Sequence, residues 1–201
     1  IAASTTEDAC AELLARLRPK AVALPAGTMH PIATVARRMG IAQISAVADA
    51  QGGVGAFDVE LTRADASLDI SRSVSPDFAF VSATSGSTGK PKLVPHGRRQ
   101  LMAMSRAVGE RLRIGPGDVS AHVVPLHLAN GMRPAFMFSL LRGGAVEILP
   151  AADVDALLAS IARGAATFFT ASFTFHHELL SRLDSVRRAA PHRLRFVRVA
   201  S

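Results

Sequence analysis

Residues 84 to 92 read Thr-Ser-Gly-Ser-Thr-Gly-Lys-Pro-Lys, the densest set of phosphate-gripping groups in this 201-residue chain. Ser85, Ser87 and Thr88 supply hydroxyls, while Gly86 and Gly89 let the backbone approach a ligand and offer its N–H groups. Lys90 and Lys92 add positive charge at the exit. An apolar run, Phe78 to Ala83, leads in, so the loop hangs from a strand end. Hydrogen bonds to a charged group contribute roughly 1.5 to 3 kcal/mol each, so a handful could hold a triphosphate. The chain has three lysines, Lys20, Lys90 and Lys92, against 20 arginines. Two of the three in one loop point to a specific use of the compact ammonium. The loop is not a Walker A, which needs four residues between its glycines and Ser or Thr after the lysine. Here Gly86 and Gly89 are two apart and Pro91 follows Lys90.

Other chemistry finds less support. His176 and His177 are adjacent on a helical pattern, so they face about 100° apart and do not chelate as an i, i+4 pair would. His122 and His127 flank a strand end without cysteine or carboxylate company, and a structural role is expected for each. There is no Gly-x-Ser-x-Gly elbow for a hydrolase and no Gly-x-Gly-x-x-Gly for a dinucleotide. The net charge is +7, but the arginines are scattered and Tyr and Trp are absent, so no stacking platform for nucleic acid is expected. No apolar run reaches the roughly 18 to 20 residues that a membrane span needs. Cys10 has no cysteine to pair with in the chain, which suits a reducing cytoplasm. The chain begins at Ile1 and stops at Ser201 straight after a strand-like run, so an internal piece of a longer polypeptide is expected.

The elements that must position the loop alternate in the manner of an α/β fold with mainly parallel sheets flanked by helices. Helices are predicted at Glu7 to Leu17, Pro31 to Gly40, Gly97 to Arg113, Gly131 to Leu141, after Asp153, and at His176 to Leu183. Leu101, Met104, Val108 and Leu112 give the helix after the loop its apolar stripe. Strands are predicted at Ala21 to Leu24, Ile41 to Val47, Phe57 to Leu61, Phe78 to Ala83, Lys92 to Pro95, Val119 to Val124, Ala145 to Leu149, Thr167 to Phe169 and Phe196 to Ala200. A first α/β subdomain over 1–75 and a second, loop-bearing one over 76–201 follow from this pattern.

From Val81 to Lys92 every position fits the AMP-binding signature of adenylate-forming enzymes, and the chain resembles that superfamily, acyl-CoA synthetases included. Gly117-Asp118, the segment Pro125-Leu126-His127-Leu128-Ala129-Asn130-Gly131, Gly143-Gly144-Ala145 and Arg195 to Ser201 follow the family's order. Members often read Pro-Leu-Phe-His at the second of these landmarks. Here His127 holds the aromatic position and Leu128 the usual histidine position, with Arg98 and Gln100 standing where many members have His and Asn. The resemblance is strong at the loop, looser over the rest of 78–201, and rests only on α/β alternation before residue 75.

The resemblance implies a parent enzyme that activates a carboxylic acid with ATP and Mg2+ as an acyl-adenylate, then passes the acyl group to coenzyme A or a carrier protein's pantetheine. It assigns ATP phosphate binding to Thr84, Ser85, Gly86, Ser87, Thr88, Gly89, Lys90 and Lys92, with Thr88 and Lys92 nearest the chemistry. His127, Asn130 and Gly131 would border the acid pocket, and no metal ligand is named within the chain. Acyl metabolism such as that of fatty acids, a cytoplasmic location and a C-terminal domain carrying the remaining active-site residues are implied as well. The chain alone is expected to be inactive. A noncatalytic nucleotide- or phosphate-binding module is the competing reading, and a basic nucleic-acid-binding domain a more distant one.

Overall fold

The computed structural model describes residues 4–49, 51, 56–63, 77–83, 92–128, 131–182 and 192–199. The chain divides into two units, Ile1–Ser73 and Val74–Ser201.

In the first unit α1 (Glu7–Leu17) starts where the Thr6 hydroxyl accepts the Ala9 N–H, with Glu7 and Asp8 complementing the helix dipole. Strand β1 (Ala21–Pro25) leads to α2 (Pro31–Arg38), whose first-turn proline gives up an N–H that no helix would use. The His30 imidazole Nδ1 accepts the Ile32 N–H and completes that cap. Strand β2 (Ala42–Ala48) lies parallel to β1 and antiparallel to β3 (Phe57–Arg63). Cys10, Leu14, Val22, Ile32, Val35 and Ala36 form the core. The thiol of Cys10 is a small buried side chain there, its pKa pushed up by burial.

The second unit begins with an antiparallel hairpin, β4 (Phe78–Ala83) and β5 (Leu93–Gly97), followed by α3 (Arg98–Arg111). Then come β6 (Val119–His122), a π-helical segment (Met132–Met137) running into α4 (Phe138–Leu141), and β7 (Ala145–Ile148). Helix α5 (Val154–Ala162), β8 (Phe168–Ala171), α6 (Phe173–Ser181) and β9 (Phe196–Val199) complete it. The sheet order is β7-β6-β8-β9 and every pairing in it is parallel. The expected α/β class is thus present, with antiparallel pairing at β2–β3 and β4–β5.

Both faces of the four-stranded sheet are covered, as a parallel sheet requires. One face packs Ala121, Val123, Phe169 and Ala171 against Val154, Leu157 and Ile161 of α5 and Phe175 of α6. Period-2 alternation sends Phe168 to the other face, where it meets Phe138 and Ile114, with Met104 and Val108 of α3 beside them. Phe168 and Phe169 are fully buried, contributing roughly 1.5 to 3 kcal/mol each. The predicted helix from Gly131 is present, but its first turns are π-helical rather than α-helical. Pro134 has no N–H to donate, so a regular α ladder cannot run through it. Helix α6 starts three residues earlier than expected because the Ser172 hydroxyl caps it, accepting the Phe175 N–H.

The starts of the parallel strands are tied together at one carboxylate. Asp118 is buried, and it accepts the Gly115 N–H at 3.0 Å, the Thr167 hydroxyl at 2.8 Å and the Arg195 guanidinium at 2.5 Å. Arg195 also donates to the main-chain carbonyls of Leu112 and Arg113 at the end of α3. Burial alone would push the Asp118 carboxyl up. The Arg195, Gly115 and Thr167 donors outweigh it and hold the carboxyl below its usual range.

Beyond β6 the chain turns sharply at Pro125. The Leu128 N–H donates to the Pro125 carbonyl, and the Gly131 and Met132 N–H groups donate to the Leu128 carbonyl. A Cβ on Gly131 would sit 2.0 Å from the Pro125 carbonyl oxygen and 2.7 Å from its carbon. Both are main-chain atoms, so the turn has no room for a side chain.

Two outcomes follow. Asp118→Asn, which keeps size and removes charge, is expected to cost roughly 1 to 3 kcal/mol at neutral pH, read by urea unfolding. Because the folded pKa is depressed, this contribution is full above the unfolded value of about 3.9 and drains away as pH falls through the folded one. The gap between wild type and variant should therefore narrow below about pH 4; a constant gap down to acid would locate the loss elsewhere. Gly131→Ala should lower the thermal midpoint by several degrees through backbone displacement, and an unchanged midpoint would refute the close approach.

Candidate functional site

The hairpin β4–β5 delivers the two ends of the Gly/Ser/Thr loop to one place. Its register pairs Ser82 with Val94 and Ala83 with Leu93, so residues 84–92 form the excursion between a matched pair. The hairpin is fastened on its own side chains. The Ser82 hydroxyl lies 2.8 Å from His96 Nε2, and the His96 ring stacks on Phe80 at 4.5 Å between centroids. At the far end the Asp77 carboxylate accepts two hydrogen bonds from the Arg99 guanidinium, at 2.9 and 3.2 Å, and its carbonyl accepts the Arg98 N–H. The strand pair is thus gripped below the loop at both levels. Of the expected phosphate-binding residues, Thr84, Ser85, Gly86, Ser87, Thr88, Gly89 and Lys90 lie outside the described residues. Lys92 is described and exposed, one residue before the strand β5 that returns from the loop.

The second part of the site is the carboxyl-terminal edge of the parallel sheet, where open α/β sheets bind ligands. Between the ends of β6 and β8 lies a cleft of about 200 Å³, lined by Val123, Val124, Pro125, Leu128, Ser172 and Phe175 among others. His127, expected beside the acid pocket, sits exposed in the turn after Pro125. Desolvation by its surroundings holds its imidazole below the ordinary value. Asn130 lies outside the described residues. Gly131 is buried and serves the backbone crossing described above.

On the face toward the π-helical segment, the sheet carries polar groups that the sequence reading did not single out as functional. His122 and Thr170 are buried to about 1% exposure, and Ser120 is fully buried. The Thr170 and Ser120 hydroxyl oxygens and the Arg198 Nη1 are buried without a hydrogen-bond partner among the described residues, while His122 has a main-chain partner in Val124. Each unmet group costs roughly 1 to 3 kcal/mol. Register places His122, Thr170 and Arg198 side by side: His122 pairs with Thr170, and Thr170 with Arg198. The His122 ring meets the edge of Phe136 at 6.3 Å, and the Arg198 guanidinium lies 5.9 Å from the Phe138 ring centre. All three therefore face the π-helical segment and α4. Burial depresses the basicity of His122 and of Arg198. Their signal in the sequence was faint: single polar residues inside strand-length apolar runs, which is also how a solvent-facing position reads.

Ion pairs elsewhere are local ties. Glu147 on β7 accepts from Ser160 of α5 and from Arg163 just after it, Glu110 of α3 pairs with Arg142, and Arg182 with Asp155. No group of three or more metal-ligating side chains occurs among the described residues. Nor is any described helix long and apolar enough to cross a membrane.

Relatives of the chain share this organisation. It is 30% identical over 143 residues to the probable CoA ligase CCL9 of Humulus lupulus, covering 68% of this chain and 27% of that protein. It is 30% identical over 128 residues to the oxalate–CoA ligase of Arabidopsis thaliana, covering 62% of this chain and 25% of that one. The fold matches that of ATP-bound MatB from Rhodopseudomonas palustris with a TM-score of 0.73 and 24% identity, over 98% of this chain and 38% of that chain. At that identity the structural likeness speaks for the fold, and the chain spans well under half the length of these relatives. The AMP-binding enzyme family model matches residues 1–201 throughout. The chain belongs to the AMP-binding enzyme family.

Proposed function

We propose that the parent of this chain activates a carboxylic acid with MgATP as an acyl-adenylate and then transfers the acyl group to a thiol. The observation that carries the reading is the loop of residues 84–92, rich in hydroxyls, glycines and lysine, closed by the Ala83–Leu93 strand pair. In the reaction one carboxylate oxygen attacks the α-phosphorus, the bond to the bridging oxygen breaks, and pyrophosphate departs with the electron pair. A thiol sulfur then attacks the acyl carbonyl and AMP leaves. The burden in the first step is negative charge on the departing pyrophosphate. Ser85, Ser87, Thr88 and the amides of Gly86 and Gly89 would hold the β- and γ-phosphates, and Lys90 and Lys92 would offset their charge. Magnesium enters with the nucleotide as part of that substrate.

The Humulus and Arabidopsis relatives are CoA ligases by name, which favours coenzyme A over a carrier protein as the acceptor. One of them acts on oxalate, so the acids handled in this family extend to short, doubly charged ones. Cys10, buried in a small apolar core, fits a reducing cytoplasmic setting. A C-terminal domain of the same polypeptide would supply the groups for adenine, ribose and the second half-reaction.

The double variant Thr88→Ala, Lys92→Ala in the full-length enzyme should lose acid-dependent ATP–pyrophosphate exchange by about a hundredfold or more. Retained exchange would sink the role given to the loop. Nucleotide binding with no exchange for any acid in the wild type would instead favour the noncatalytic module.

A further inference from the structure

We infer that His96 positions the nucleotide-binding loop without belonging to it. With Ser82 and Phe80 it fixes the register of the β4–β5 hairpin, and that register sets how residues 84–92 close on the phosphates. The inference rests on the reading of that loop as the phosphate grip and adds the residues that govern its affinity.

The main-chain hold on this register is slight. Among the described residues β4 and β5 form a two-stranded sheet, and two strands by themselves are marginal in water. Their pairing shifts between Phe78 and Phe80, and Pro95, opposite Val81, brings no N–H to the ladder. A slip of one residue would turn every side chain of β5 to the other face. A slip of two would keep the faces but alter the length of the stretch between the closing pair, Ala83 and Leu93. Hydroxyls, amides and lysines placed for one set of phosphate oxygens would then miss it.

Side chains on one face oppose both slips. Phe80, Ser82, Val94 and His96 share that face, since Phe80 lies opposite His96 and Ser82 opposite Val94. His96 reaches two partners across the pair. Its ring stacks on Phe80 at 4.5 Å, and its Nε2 lies 2.8 Å from the Ser82 hydroxyl on the diagonal. Whichever of the two atoms carries the proton, one donates and the other accepts. A ring moved two residues along the strand, roughly 7 Å, keeps neither contact in this form. Ser82 is buried, so a slip that takes His96 away leaves its hydroxyl unmet. Ser82 also adjoins Ala83, so the clamp acts at the root of the loop.

The test uses the full-length enzyme, with ATP binding by equilibrium dialysis beside ATP–pyrophosphate exchange driven by acetate, butyrate, malonate or benzoate. His96→Phe keeps a ring against Phe80 and loses the bond to Ser82; Ser82→Ala loses the same bond from the other side. Each should raise Kd and KM for ATP by about fivefold to tenfold, with kcat and the acid's KM within about twofold of wild type. The double variant should bind ATP about as well as the weaker single one, since all three lack one and the same contact. Ser82→Thr, which keeps the hydroxyl, should hold ATP affinity close to wild type. Unchanged ATP affinity in both single variants, or losses that add in the double variant, would overturn the inference. So would a loss shared equally by kcat and both KM values, the mark of a fold merely weakened, or a Ser82→Thr variant as poor as Ser82→Ala. Clamp-dependent ATP binding without exchange for any of the four acids would overturn acid activation and leave this inference standing.

Discussion

The parallel sheet depends on the Asp118 carboxylate. It is the point where the start of β6, the Thr167 residue preceding β8, the Arg195 residue preceding β9 and the turn ending α3 converge. A buried carboxylate is costly by itself, and here an amide N–H, a hydroxyl and a guanidinium more than offset that cost. The consequence is register. Main-chain bonds from Ala145 to Asp118, from Thr167 to Val119 and from Arg195 to Thr167 begin the ladders beside the same clasp. Strands that start in step also finish in step. Four residues on from Asp118, roughly 13 Å away, His122, Thr170 and Arg198 therefore stand abreast.

That arrangement divides the sheet's work between its faces and its ends. The face under α5 and α6 is a packed apolar cluster whose role is stability. The opposite face is apolar at the clasp end, where Phe168, Phe138 and Ile114 pack, and polar at the other end. A polar end in a covered position weakens the fold, since each unmet buried group carries a desolvation cost. The π-helical segment lies over that end.

The hairpin plays the complementary part for the proposed nucleotide site. Hydroxyls and amides spread over nine residues can act on one ligand only if the two ends of that stretch are held together. The Ala83–Leu93 pairing does this, fastened by Ser82 against His96 and by Phe80 against the same ring.

The sequence by itself determined what is local. Hydroxyls, glycines and lysines at fixed spacing identified the loop, because binding a polyphosphate demands those residue types over a short stretch. Hydrophobic periodicity located the helices and strands, because burial of one face is written into residue order. Capping moved the start of α6 by three residues, and a proline changed the helix type over Met132–Met137, local effects within elements already legible. Only the tertiary structure decided the rest. His122, Thr170 and Arg198 are separated by 48 and 28 positions in the chain and meet through strand register. Nothing in the residues around each one signals the other two. Asp118 read only as part of the Gly117-Asp118 landmark and proved to be a clasp, because the Arg195 it binds lies beyond three strands, three α-helices and the π-helical segment in sequence. Pairing across such distances is set by which strands lie side by side, a property of the folded sheet that no local window contains.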